Sequence, residues 1–113
     1  MGSHKMKLFP QYFNALREGI KYIEVRCNDE KRQQIRVGDH ITFSNLETQE
    51  EIQTEVTALE VYPSFEELIH QHPVEAYGFK GTPTDEVLEV LKTIYSREQE
   101  QRYGALGLVL KRI

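Results

Sequence analysis

The sequence predicts an α+β fold, a small mixed β-barrel with flanking helices, on three observations. Polarity alternates residue by residue in the segment 22–27, as a half-buried strand requires, and the segments 40–44 and 52–62 read as two further strands across a polar connection. The segments 10–18 and 85–95 instead carry their apolar residues at helical spacing. The run 105–110 is apolar on both faces, which marks a strand that is central or covered from two sides. That many strands cannot all lie at an edge. A small barrel with helices on its ends and sides is the compact solution, although pattern alone leaves other α+β arrangements open.

The elements follow in order. The start, MGSHK, lacks an apolar signal-peptide core and reads as an expression scar. Residues 1–5 are therefore set aside, and a single domain is expected over 6–113. In 10–18, Tyr12, Phe13 and Leu16 form one stripe, with Pro10 near the helix start and Gly19 where the helix stops. The strand 22–27 then places Tyr22, Glu24 and Arg26 on one side and Ile23, Val25 and Cys27 on the other. Residues 28–34 are polar and basic enough for a loop or one helical turn, and 36–39 turn into the strand 40–44. With 52–62 that strand forms a long antiparallel hairpin. Ser64 caps a helix over 65–70, because Glu67 follows it at capping-box spacing. The helix 85–95 carries Val87, Leu88, Leu91 and Ile94 on its stripe, with Thr84 as the expected cap. Residues 96–102 are left without an assignment.

Composition narrows the function classes. A length of 113 residues suits one domain. The longest apolar runs span only a few residues, against the ~20 that a membrane helix needs, so no membrane partner is expected. The lone Cys27 has no disulfide partner, consistent with a reducing, cytoplasmic location. No Cys/His cluster or Gly-rich phosphate loop occurs, and His70 and His72 are wrongly spaced to share a metal on a helix, so no metal and no cofactor are expected. The net charge of −4 hides an uneven distribution. Residues 1–36 hold eight Lys/Arg against four Asp/Glu, residues 47–100 three against thirteen, and residues 101–113 three against none. If the fold brings the two basic ends together, a polyanion is a fitting partner. A protein partner is also compatible with this surface.

One ordered set of motifs points further. Gly19-Ile-Lys21-Tyr-Ile-Glu24-Val-Arg26, then Asn28-Asp29, Lys31-Arg32 and Gly38-Asp39-His-Ile41-Thr-Phe43, closely resembles the ASCH domain, as do the 65–70 helix, Tyr95 and the closing Tyr103-Gly104. The resemblance runs from about Phe9 to the end. It implies a PUA-like β-barrel with a nucleic-acid-facing cleft beside it and the loop after the first helix on the rim, in a family associated with RNA binding and RNA metabolism. RNA or a nucleotide is then the expected ligand.

The residue chemistry fits that expectation. Lys21 offers an ammonium to a phosphate or a developing oxyanion, and Arg26 a planar fork to a phosphate or a base edge. Glu24 could act as a general base, accept from a base amino group, or pair with Lys21 or Arg26. Lys31 and Arg32 are candidate phosphate contacts, and Tyr22 and Tyr103 candidate stacking platforms. Two enzymatic readings stand beside binding. In a ribonuclease, Glu24 would be the base while Lys21 and Arg26 stabilise a pentacovalent phosphate, although the same three groups equally describe a passive nucleotide pocket. A branch of small amidohydrolases that deacetylate N4-acetylcytidine resembles the chain at Gly19, Lys21, Ile23 and Arg26. It carries a Thr nucleophile where this chain has Glu24, a role a carboxylate cannot take unaltered, and its catalytic Glu would fall near Glu75.

Overall fold

A computed structural model of the protein describes residues 2–113. The elements run β1 (Ser3–Leu8), α1 (Pro10–Arg17), β2 (Ile23–Cys27), β3 (His40–Asn45), β4 (Glu51–Tyr62), α2 (Phe65–Ile69), α3 (Thr84–Ile94), α4 (Arg97–Tyr103) and β5 (Ala105–Arg112), with 3-10 turns at Arg32–Gln34 and Val74–Tyr77. The strands form one mixed sheet in the order β1-β3-β4-β5-β2. Only β1 and β3 are parallel; the other neighbours are antiparallel. The expected α+β class and β3–β4 hairpin are present, and the sheet curls into a half-barrel whose edges are β1 and β2. A bulge between Val56 and Ala58 helps it curl, since an extra residue on one strand bends that strand and increases its twist. Among the described residues no helix is long and apolar enough to cross a membrane.

Two cores explain why β5 is apolar on both faces. Leu106, Leu108 and Leu110 face the first, inside the curl, with Phe13 and Leu16 of α1 and with Ile41, Phe43 and Val56 of the hairpin. Ala105 joins the second, where α2 and α3 pack Phe65, Leu68, Val87 and Leu91 against Ile23 and Cys27 of β2. Full burial of each such side chain contributes about 1.5–3 kcal/mol, so both faces of β5 hold the sheet between the helices.

Three elements depart from the sequence reading. No strand was expected at the start, yet β1 runs through it, and Ser3, His4 and Lys5, which the sequence reading set aside, pair with His40, Ile41 and Thr42; Met1 lies outside the described residues. Met6 and Leu8 alternate with exposed Lys5 and Lys7, a strand signal only four residues long. Thr84 is not the cap of α3: it lies inside the helix, and Pro83 is the N-cap residue, without a side-chain bond. The segment 96–102 is mostly helix. Its signal was the Ser96–Gln99 capping box, in which Ser96 Oγ accepts from Gln99 N at 3.1 Å and Gln99 Oε1 accepts from Ser96 N at 2.8 Å. No apolar stripe accompanies it, because none of α4 is buried. Ser96→Ala should cost about 1 kcal/mol in a urea titration, and a change of only a few tenths would mean that α4 is held by other contacts.

Candidate functional site

Because β1 and β2 are the two edges of the half-barrel, the seam between them is open. It widens into a cleft of about 200 Å3 bounded by the end of β1, the start of α1, β2 and α3. Alternation along β2 turns Glu24 and Arg26 to the same side, toward this cleft. Arg26 Nη2 reaches across the seam to Lys7 O of β1 at 3.3 Å.

The floor is an ionic trio. Lys21 Nζ donates to Glu24 Oε1 at 2.9 Å, to Ile23 O at 2.7 Å and to Tyr77 O at 3.0 Å. An ammonium has three protons, so every donor of Lys21 is engaged within the protein. Arg26 Nε donates to the other Glu24 oxygen, Oε2, at 2.6 Å. Lys21 is 3% exposed and Glu24 5%, so the Glu24–Lys21 pairing is buried rather than solvated. Burial pushes the Glu24 carboxyl up, but the charges and hydrogen bonds of Lys21 and Arg26 outweigh it and hold the group below its ordinary value. The trio depends on a bare backbone beside it. A Cβ at Gly78, whose φ is +96°, would lie 3.0 Å from Lys21 Cδ and 3.2 Å from Tyr12 Cδ1.

The walls are aromatic. Tyr77 lines the cleft with its hydroxyl turned away, donating to Leu68 O at 2.6 Å. Tyr12 of α1 packs on Phe79 with centroids 5.2 Å apart, and Tyr95 at the end of α3 stacks on Phe65 at 5.2 Å and 15°. Phe9 and Ile94 stand at the mouth, each more than half exposed. The sequence reading placed Tyr12 in the core stripe and left Tyr77 and Phe79 unassigned, because the segment carrying them has no regular period.

The structure brings Lys21, Glu24 and Arg26 together and keeps the other candidates apart from them. Lys31 is exposed in the loop before the 3-10 turn, and the Arg32 backbone amide donates to Asp29 Oδ1 at 3.0 Å. Tyr103 donates to Glu30 Oε1 at 2.9 Å beneath the Arg102 guanidinium, and Tyr22 packs edge-on against His72. None of Lys31, Arg32, Tyr22 or Tyr103 lines the cleft. Glu75 accepts from Gly81 N at 3.4 Å and is likewise outside the lining. The two basic ends touch where Arg112 donates to Arg17 O at 2.8 Å, but the cations lining the cleft, Lys7, Lys21 and Arg26, all come from the first of them, and Lys111 stands opposite Glu55.

The family profile of the ASCH domain matches residues 6–113. This chain belongs to the ASCH family. The cleft, drawn from residues between Lys7 and Tyr95, therefore lies wholly within the ASCH domain. Among solved structures, this ASCH domain is similar to the hypothetical protein PH0355, with 31% identity and a TM-score of 0.87 over 98% of this chain and 99% of that one. It is also similar to PF0455 from Pyrococcus furiosus, with 28% identity and a TM-score of 0.78 over 98% and 97%. A ZmASCH mutant protein from Zymomonas mobilis shares 16% identity at a TM-score of 0.60, covering 95% of this chain and 66% of that one, a likeness of fold. No curated protein matches the sequence.

Proposed function

We propose that this ASCH domain binds single-stranded RNA by taking one unpaired base into the seam cleft. The observation that carries the reading is the combination of aromatic walls with a floor and rim holding three cations, Lys7, Lys21 and Arg26, against one carboxylate, in a protein of net charge −4. Unstacked bases are recognised in this way, by stacking on aromatic rings and by hydrogen bonds to their edges, with cations nearby for the phosphates. At about 200 Å3 the cleft is smaller than the ~300 Å3 at which drug-sized pockets begin, which suits a single flat heterocycle. The RNA association of the family supports the same ligand.

Binding is favoured over catalysis by the state of the trio. A carboxylate clamped between two cations, with its pKa lowered, is a weak general base, and an ammonium whose protons are all engaged has none directed at a reacting oxygen. Lys21 accordingly positions Glu24 and Tyr77, while Arg26 and the aromatic rings meet the base.

Fluorescence anisotropy with short single-stranded RNA at about 50 and 200 mM salt tests this. Affinity should fall with salt. Phe9→Ala, which removes an exposed ring and leaves the core untouched, should weaken binding by about tenfold, and Lys7→Ala should lower the salt slope by about one. Absence of binding at low salt, or binding indifferent to both Phe9→Ala and Arg26→Ala, overturns the reading. Turnover of RNA or N4-acetylcytidine that Glu24→Gln abolishes would replace it with an enzymatic one.

A further inference from the structure

Beside the cleft lies a second, roomier groove of about 420 Å3 between α1 and the segment 78–82. Tyr12 and Phe79 line both, so the wall between cleft and groove is a single aromatic ring pair. The chemistry changes across that wall. On the α1 side the groove presents the amides of Gln11 and Asn14, and on the other side the Lys80 ammonium and the Thr82 hydroxyl. Asn14 Oδ1 already accepts from Arg17 Nη2 at 2.8 Å, which turns the Asn14 amide group to the role of donor. Glu18 closes the α1 side with a negative charge.

We infer that this groove is a second nucleotide subsite, so that the ligand is a strand of at least two nucleotides: one base in the cleft, its neighbour in the groove. The inference rests on the reading that a base enters the cleft. Three observations argue for it. The groove has about twice the volume of the cleft, room for a sugar and a phosphate as well as a base. Its charges sort the nucleotide: Glu18 repels a phosphate from the α1 side and Lys80 attracts it to the opposite side, which leaves the base facing Gln11 and Asn14. The junction is kept low by Gly78, which lines the groove where a side chain would run into Lys21 and Tyr12, so the strand can pass over the ring pair. Stacking on that pair from both sides accepts any base, whereas the two amides supply hydrogen bonds that choose among them.

The test compares the four ribonucleoside 5′-monophosphates with the four homopolymeric RNA trinucleotides, using the full chain at about 50 mM salt. The best trinucleotide should bind about tenfold more tightly than its monophosphate, the gain from one further stacked and hydrogen-bonded nucleotide. Gln11→Ala and Lys80→Ala, both at exposed positions, should each remove a large part of that gain while leaving monophosphate binding unchanged. Amide NMR signals of Gln11, Asn14, Gly78 and Lys80 should shift with the trinucleotide and not with the monophosphate. If a monophosphate binds but no trinucleotide binds more tightly, or if the two variants change nothing, the second subsite is rejected and the base-binding cleft survives. If neither ligand binds, both readings fall.

Discussion

Lys21→Met should destabilise the protein by about 3–5 kcal/mol, a large part of the 5–15 kcal/mol that holds a domain of this size folded. The thioether fills the space of the lysine stem, so the loss is electrostatic. Glu24 keeps only Arg26, and Ile23 O and Tyr77 O lose the ammonium that now serves them. Thermal unfolding followed by circular dichroism should show the midpoint falling by about 10–20 °C. A fall of only a degree or two would mean that the ammonium is not the tether between β2 and the Val74–Tyr77 turn. The double variant Lys21→Met, Glu24→Leu should cost less than the sum of its single changes, because it removes both buried charges together. The same trio sets an acid limb. Glu24 has a folded pKa below its ordinary value, so its contribution is complete above the ordinary carboxylate range and is lost as pH falls through that range toward the lower folded value. Asp39 acts in the same direction. Bonds from His4, the Arg36 amide and the Gly2 amide outweigh the opposing effect of burial and lower it to about 2, so its share disappears between about pH 4 and pH 2. Wild-type stability should therefore decline below about pH 5, and Lys21→Met, which lacks the strongest partner of Glu24, should decline less steeply.

Gly104→Ala should be nearly as damaging, at about 3 kcal/mol or more. Gly104 joins α4 to β5 at φ +76° and ψ −170°, a region open essentially to glycine alone. A Cβ there would lie 2.6 Å from Tyr62 O, a backbone atom of β4 at the point where Tyr62 pairs with Ala105. Neither side yields easily: β4 and β5 are central strands, and Gly104 O also accepts from Asn28 N at 3.1 Å. The strain should spread to β2, whose Cys27 pairs with Ala105, and so reach Arg26. Urea unfolding should give the loss of stability, and amide exchange should quicken first at 105–106 and 27. Unchanged protection at these amides, or a loss under about 1 kcal/mol, would overturn this account.

How much of the fold and site was legible follows from the range over which each signal acts. Periodicity reports the faces of one element at a time, so β5, the β3–β4 hairpin, α1 and the body of α3 could all be read from residue spacing. It says nothing about α4, which buries none of its residues, or about the neighbours a strand will take. The ion pairs of Glu24 were readable because both partners lie within three residues of it. Their burial was not, because it depends on Tyr77, whose carbonyl meets Lys21 across 56 residues of sequence. The aromatic walls were hidden for the same reason. Phe9 and Tyr12, Tyr77 and Phe79, and Tyr95 come from three separate segments, and each looks like ordinary core or loop in its own context.

By itself the sequence determined the α+β class, through strand alternation and helical spacing, the likeness to the ASCH family, through an ordered set of motifs, and the closeness of Lys21, Glu24 and Arg26 in the chain. Only the tertiary structure decided where the cluster sits. The half-barrel stops short of closing between β1 and β2, and that gap gathers distant aromatic rings over a trio turned inward by burial. There Lys21 has all three of its protons engaged by Glu24, Ile23 O and Tyr77 O, as the desolvation of a buried ammonium requires.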